Sequence, residues 1–225
     1  DLKRNGLVAP NKQFRFIEDE SQSKLAGAYV MPPIPGLYKW IYDLDLTSLY
    51  PSIIMTINIG KETYVGRIID SDDRNNRLGY NDLKCMDYAE KMVVENKKRQ
   101  QTRVNVGRIV KMIEQNDLLI SANGVMYSKD RESVLSTILK KWFDERVKYK
   151  NAMKRAYKSG NKELGAAYHM KQYTMKILLN SLYGATALGS FRYGNVILSE
   201  SITLSGQRII QESALAANRA MNKEI

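Results

Sequence analysis

Lys158-Ser159-Gly160-Asn161 interrupts two long runs of helix-forming residues, and its position between them decides the fold. Before it, Asp130 to Tyr157 carries Val134, Leu135, Ile138, Leu139, Trp142 and Phe143 at helical spacing; after it, a second run extends from Lys162 to Leu182. A short Gly-Asn turn between two such runs predicts an antiparallel helical hairpin. A third helix is predicted from about Ser199 to Asn222. Towards the N-terminus the pattern changes. Leu37 to Leu46 is aromatic and β-favouring, and Pro51-Ser52-Ile53-Ile54-Met55 follows, which reads as a strand, a turn and a short helix. Residues 64–69 form a second strand candidate, 71–77 a polar loop, and 82–117 a mostly helical segment broken near Gly107. Residues 1–36, punctuated by Pro10, Pro32, Pro33 and Pro35, read as a connecting segment. The expected class is α+β.

The chain has 225 residues, of which 44% are hydrophobic, enough to build a core. With 35 Lys and Arg against 24 Asp and Glu, its formal net charge is +11, which favours a polyanionic partner. Cys85 is the single cysteine, so an intrachain disulfide and a cysteine-rich zinc site are excluded. No apolar run approaches the roughly 20 residues that cross a bilayer, so a soluble protein of a reducing cytoplasm, without a membrane partner, is expected. The chain does not start with Met, which suggests a piece cut from something larger.

Three places carry chemistry. The first is Tyr42-Asp43-Leu44-Asp45-Leu46-Thr47-Ser48-Leu49-Tyr50-Pro51. A carboxylate at a strand end can hold Mg²⁺ while a phosphate substrate completes the shell, and Asp45 is the candidate. The following turn offers the Ser48 hydroxyl and backbone N–H groups at a helix start, with Tyr50 packing on the sugar beyond the phosphates. The plainer reading of such an acidic pair is an exposed strand terminus. The second place is Arg146 and Lys150, four apart on one helix face, where an anion between them would offset their repulsion. Lys148 and Lys154 flank them, so a generally basic, solvated helix is the competing reading. The third is the stripe Lys176, Asn180 and Tyr183, a cation, an amide and a phenol among leucines. Lys97-Lys98-Arg99 with Arg103 reads as a solvated helix face or a phosphate contact. His169 reads as a solvent-facing or structural side chain.

Asp45-Leu-Thr-Ser-Leu-Tyr-Pro-Ser-Ile-Ile54 and Lys176-Ile-Leu-Leu-Asn180-Ser-Leu-Tyr183-Gly184 resemble, in the right order, two motifs of the family B DNA polymerases. Lys141-Trp-Phe-Asp-Glu-Arg146-Val-Lys-Tyr-Lys150 is similar to the family's other fingers helix. The wording around them, Gly27-Ala-Tyr-Val30, Pro33-Ile-Pro35 and Phe191-Arg-Tyr193, looks most like the T4-type phage branch, which would place the protein in the cytoplasm of an infected bacterium.

The resemblance implies a partial palm over 37–130, with the 82–117 stretch as an insertion, and fingers over 131–184. Residues 185–225 would then return into the palm. It implies that Asp45 and the Leu46 carbonyl bind two catalytic Mg²⁺ ions. Ser48, Leu49 and Tyr50 would meet the triphosphate of a dNTP, Tyr50 also excluding a ribose 2′-OH. Arg146, Lys150, Lys176 and Asn180 would grip the phosphates, and Tyr183 and Gly184 would lie under the nascent base pair of a primer-template DNA. Asp43 departs from the family, whose members usually carry an uncharged residue there; two residues from Asp45 on a strand, it would share its face. The family's second metal carboxylate lies in a Tyr-x-Asp-Thr-Asp-Ser hairpin, which does not occur in these 225 residues. The chain alone is therefore expected to be inactive and to need a second polypeptide that supplies this hairpin and the thumb. Alternatives from the residues alone are a sugar-nucleotide transferase, from the weak Asp43-Leu44-Asp45 triplet, and a nucleotide- or DNA-binding module without catalysis. A P-loop at Gly184 to Ser190 is rejected, since it lacks the lysine and a preceding strand.

Overall fold

The structure is a computed structural model that describes residues 27–39, 41, 43–69 and 78–221. The chain enters helix α1 (Leu49–Ile57), crosses strand β1 (Tyr64–Ile69), and passes through helix α2 (Tyr80–Cys85) into strands β2 (Lys91–Asn96) and β3 (Gln101–Asn105). Helix α3 (Val106–Gln115) leads to the short strands β4 (Leu119–Ile120) and β5 (Val125–Tyr127). Three long helices follow: α4 (Val134–Lys158), α5 (Lys162–Thr186) and α6 (Val196–Met221). The strands form one antiparallel sheet in the order β3-β2-β1-β5-β4. The class is α+β, as expected.

Two cores hold it. One packs α2 and α3 on β1 and β2 through Ile68, Leu83, Met92, Ile109 and Ile113. The other gathers Ile53 and Ile54 of α1, Tyr127 of β5, Leu135 and Leu139 of α4, Leu179 of α5 and Ile202 of α6. The helical hairpin forms where expected. Ser133 Oγ accepts from the Ser136 N–H at the start of α4, and Asn161 Oδ1 from Leu164 N–H at the start of α5, both at 3.0 Å. Gly160 takes the left-handed turn at φ 79°. Gly165 lets the Tyr157 ring lie on the facing helix, because a Cβ there would come within 2.6 Å of it.

Two expectations are corrected. Residues 37–46 do not form a strand: those described are irregular, with Leu37 98%, Ile41 82% and Leu44 69% exposed. No strand lies beside them among the described residues, so their backbone groups have no ladder and their side chains no facing layer. Trp40, Tyr42, residues 1–26 and the loop expected at 71–77 fall outside the described residues. The segment 82–117 is not mostly helix. Met92-Val93-Val94 belongs to a β-hairpin with β3, whose turn is organised by Asn96: its Oδ1 accepts from Lys98 and Gln100 N–H at 2.8 and 3.0 Å. Beyond the end of α2 at Cys85, only Val106–Gln115 is helical, with Val106, Ile109, Val110 and Ile113 buried. The run Lys97-Lys98-Arg99 therefore sits on an exposed hairpin turn, Arg99 at φ 60°, and Arg103 on the edge strand.

The two ends of the second core are joined through Asn58. It ends α1 in the left-handed conformation, φ 58°. Its Nδ2 donates to the Ser128 and Arg131 carbonyls, and its Oδ1 accepts from Ser133 N–H, all at 2.8 Å. Ser133 and Ser136 donate back to the Ile59 and Ile54 carbonyls. Removing the amide strands the buried Ser133 N–H, at about 1–3 kcal/mol, and two part-buried carbonyls at less, so Asn58→Ala should lose about 2–4 kcal/mol in urea unfolding. Asn58→Gly, which keeps the backbone conformation, should lose nearly as much.

Candidate nucleotide site

Ser48 stands in the left-handed region, φ 56°, immediately before α1. Its hydroxyl caps nothing in the helix and instead accepts from Arg146 Nη1 at 3.0 Å. This bond joins residues 98 apart and brings the first and second sequence candidates together. Leu49 and Tyr50 occupy the first turn of α1, where N–H groups lack helical partners, and Pro51 has no N–H to donate.

Arg146 is half-buried, and its Nε is fully buried with no hydrogen-bond partner. A buried guanidinium N–H left unpaired is costly, so Arg146 is held here at an expense to stability. Beside it Tyr50 stacks on Tyr183, ring centroids 4.3 Å apart and planes at 28°. Burial, and to a lesser degree the Tyr50 phenol, push the Tyr183 hydroxyl above the usual tyrosine range. Helix α6 also packs closely on Tyr50: a Cβ on Gly206 would lie 2.9 Å from the Tyr50 ring.

Lys150, Lys176 and Asn180 are exposed, and their side chains form no ion pair or hydrogen bond among the described residues. Gly184 faces open space. Asp43, Asp45 and Leu46 are exposed in irregular chain before the turn. The expectation of Asp45 at a strand end is corrected, and with the strand goes the argument that Asp43 shares its face. Asp45 nonetheless stays close to Arg146's partner: three residues span at most about 11 Å, so its Cα lies within that distance of Ser48. Among the described residues no three Asp, Glu, His or Cys side chains gather as a metal cluster. Mg²⁺ commonly takes only one or two carboxylates and fills its shell with substrate phosphates and water, so Asp45 and the Leu46 carbonyl fit as a partial shell. His169 is exposed, as expected, with its ring near Tyr173.

The sequence did not reveal the Ser48–Arg146 bond, the Tyr50–Tyr183 stack or Gly206. The last had a local signal, an isolated glycine inside a strongly helical run. A groove of about 890 Å³ lies elsewhere, between β3 and α3, and none of its lining residues belongs to this site. No helix of the described residues is long and apolar enough to cross a membrane.

The fold is a segment of a polymerase fold. It matches the family B DNA polymerase from the archaeon Pyrobaculum calidifontis at a TM-score of 0.55 and 20% identity, covering 97% of this chain and 22% of that one. Residues 1–224 match the family described as DNA polymerase family B, and the chain belongs to that family. It is 27% identical to the DNA-directed DNA polymerase of Escherichia phage RB69, over 97% of this chain and 26% of the relative. It is 29% identical to the DNA polymerase zeta catalytic subunit of Saccharomyces cerevisiae, over 82% of this chain and 11% of the relative. A Pyrococcus glycovorans DNA polymerase is 29% identical over 93% and 21%. The chain thus spans about a quarter or less of the length of these relatives.

Gly206→Ala should push the Tyr50 ring off Tyr183 and cost about 1–3 kcal/mol by overpacking. Thermal unfolding, together with the near-ultraviolet dichroism of the tyrosines, measures both effects.

Proposed function

We propose that the chain is the nucleotide-gripping part of a DNA-directed DNA polymerase, which adds dNTPs to a primer 3′ end on template DNA by two-metal phosphoryl transfer. The observation that carries this reading is Arg146, a half-buried cation that donates from Nη1 to Ser48 while its Nε is unpaired. A triphosphate oxygen beside Ser48 would pair with the accessible part of this guanidinium and face the first turn of α1. In this reading α4 and α5 are the fingers. Lys150, Lys176 and Asn180, free of protein partners among the described residues, add their donors as the hairpin closes on the phosphates. Donors fixed before the reaction stabilise charge developing on the phosphoryl oxygens without reorganising. Tyr50, packed against Tyr183 and Gly206, is held rigidly enough to refuse a 2′-OH, and Tyr183 with the open Gly184 lies under the new base pair.

Asp45 and the Leu46 carbonyl would hold Mg²⁺, which when bound neutralises charge on the attacking and leaving oxygens. The second carboxylate and the thumb come from polypeptide other than these 225 residues, in the same protein or a partner chain. The phage-type wording of the flanking segments favours a phage enzyme working in the host cytoplasm. A second reading is a nucleotide- or DNA-binding module without catalysis, to which the net charge of +11 is suited.

Two measurements test the proposal. Titration of a labelled dNTP with Mg²⁺ should weaken in both Arg146→Ala and Lys176→Ala by the loss of a charge-assisted bond, about 1.5–3 kcal/mol each. Equal affinity in wild type and variants removes those residues from the site. Primer extension should be absent for this chain alone and appear on mixing with a fragment that carries the hairpin and thumb. Asp45→Asn should abolish it. Synthesis by this chain alone, or by a mixture that survives Asp45→Asn, would overturn the metal assignment, and a mixture that binds dNTP without extending would favour the second reading.

A further inference from the structure

The α4–α5 hairpin, residues 134–186, carries eleven Lys and Arg against three Asp and Glu, a net +8 of the chain's +11. One triphosphate does not use that charge. Along α5 the stripe Lys176, Asn180 and Tyr183 continues towards the tip of the hairpin at the same alternation of three and four through Tyr173 and His169, and two turns further on reaches Lys162. From Lys162 to Tyr183 the stripe runs about 32 Å.

Tyr173 and His169 are exposed, Tyr173 by 46%, with rings nearly parallel, 10° between planes and centroids 6.4 Å apart. They do not brace the hairpin. That work falls to Lys171, whose ammonium lies 5.8 and 5.7 Å from the Tyr149 and Tyr168 rings on the two helices. Lys162 opens α5, where a positive charge opposes the helix dipole, so it does not serve helix stability. Two flat rings between a cation at the tip and another one turn below form a stacking platform with phosphate partners at both ends. Aromatic faces alternating with cations recognise unpaired nucleotides.

We propose that Tyr173 and His169 stack the bases of single-stranded DNA along α5, on the tip side of the dNTP site, with Lys162 on one flanking phosphate and Lys176, at the border of the two sites, on the other when no dNTP holds it. The surface goes beyond the polymerase reading: strand binding needs no second carboxylate, and primer extension can fail while it holds.

The full chain is titrated against a fluorescein-labelled twelve-nucleotide oligothymidylate, followed by anisotropy, and against an abasic strand of the same length. Tyr173→Ala and His169→Ala should each weaken oligothymidylate binding about 5- to 100-fold and leave the abasic strand nearly unaffected. Tyr173→Phe should retain affinity, which separates stacking from a folding defect. Lys162→Gln should lower the slope of log affinity against log salt by about 0.7. Unchanged oligothymidylate affinity in the Tyr173→Ala, His169→Ala double variant would overturn the proposal, as would equal losses on the abasic strand. A loss confined to free dTTP would show that the platform serves a nucleotide and not a strand, and would overturn it too.

Discussion

The side chain of Asn58 is the joint on which the architecture depends. Helix α1 ends there in a left-handed turn, and the same residue spans three backbone groups of the segment between β5 and α4. The amide has both a donor and an acceptor end, which an isosteric leucine or aspartate could not supply in this pattern. Because α1 carries Ser48 and Tyr50 at its other end, the clasp also sets where the turn before α1 stands relative to Arg146. A backbone constraint at one end of a nine-residue helix thus fixes polar geometry at the other.

The helices converge on that turn with opposite chemistries. From α4 comes a guanidinium with an N–H to spare, from α5 a phenol raised above its usual range, and from α6 a glycine that makes room for the ring between them. Part of this arrangement is expensive for folding, since an unpaired buried donor lowers stability. Its persistence is understandable where a ligand supplies what the protein lacks. Membership in DNA polymerase family B agrees with a ligand that is rich in phosphate oxygens.

How much of this was readable in the sequence depended on range. The long helices were legible because their apolar period repeats over many turns, and Gly160-Asn161 marks the reversal without ambiguity. Strand β1 was legible from Tyr64, Val65, Ile68 and Ile69 among its six residues. The β2–β3 hairpin was not, because Met92-Val93 and Ile109-Val110 merge into one apparent helical window; Asn96, which organises the turn, was the overlooked signal. The supposed strand at 37–46 shows the converse error: propensity named a strand that has no neighbour to pair with. At the site, the residue types were legible from Ser48 to Tyr183, but which of them touch was not. Ser48 with Arg146 and Tyr50 with Tyr183 are contacts across about a hundred residues or more, set by helix packing and not by local pattern.

The distribution of buried residues along the hairpin has a mechanical consequence. Val134, Leu135, Ser136 and Leu139 on α4, and Leu179 and Thr186 on α5, lie at its base, whereas further out the buried positions are Ala156 and Gly165, which face within the hairpin. The pair is therefore a stiff arm on a short foundation. Lys150 lies eleven residues beyond Leu139, about 16 Å along the axis, so a tilt of about 10° at the base carries its Cα about 3 Å, the length of a hydrogen bond. Small adjustments of packing around Leu139 and Leu179 are thereby magnified into making or breaking contact at the cations, with no need to deform either helix.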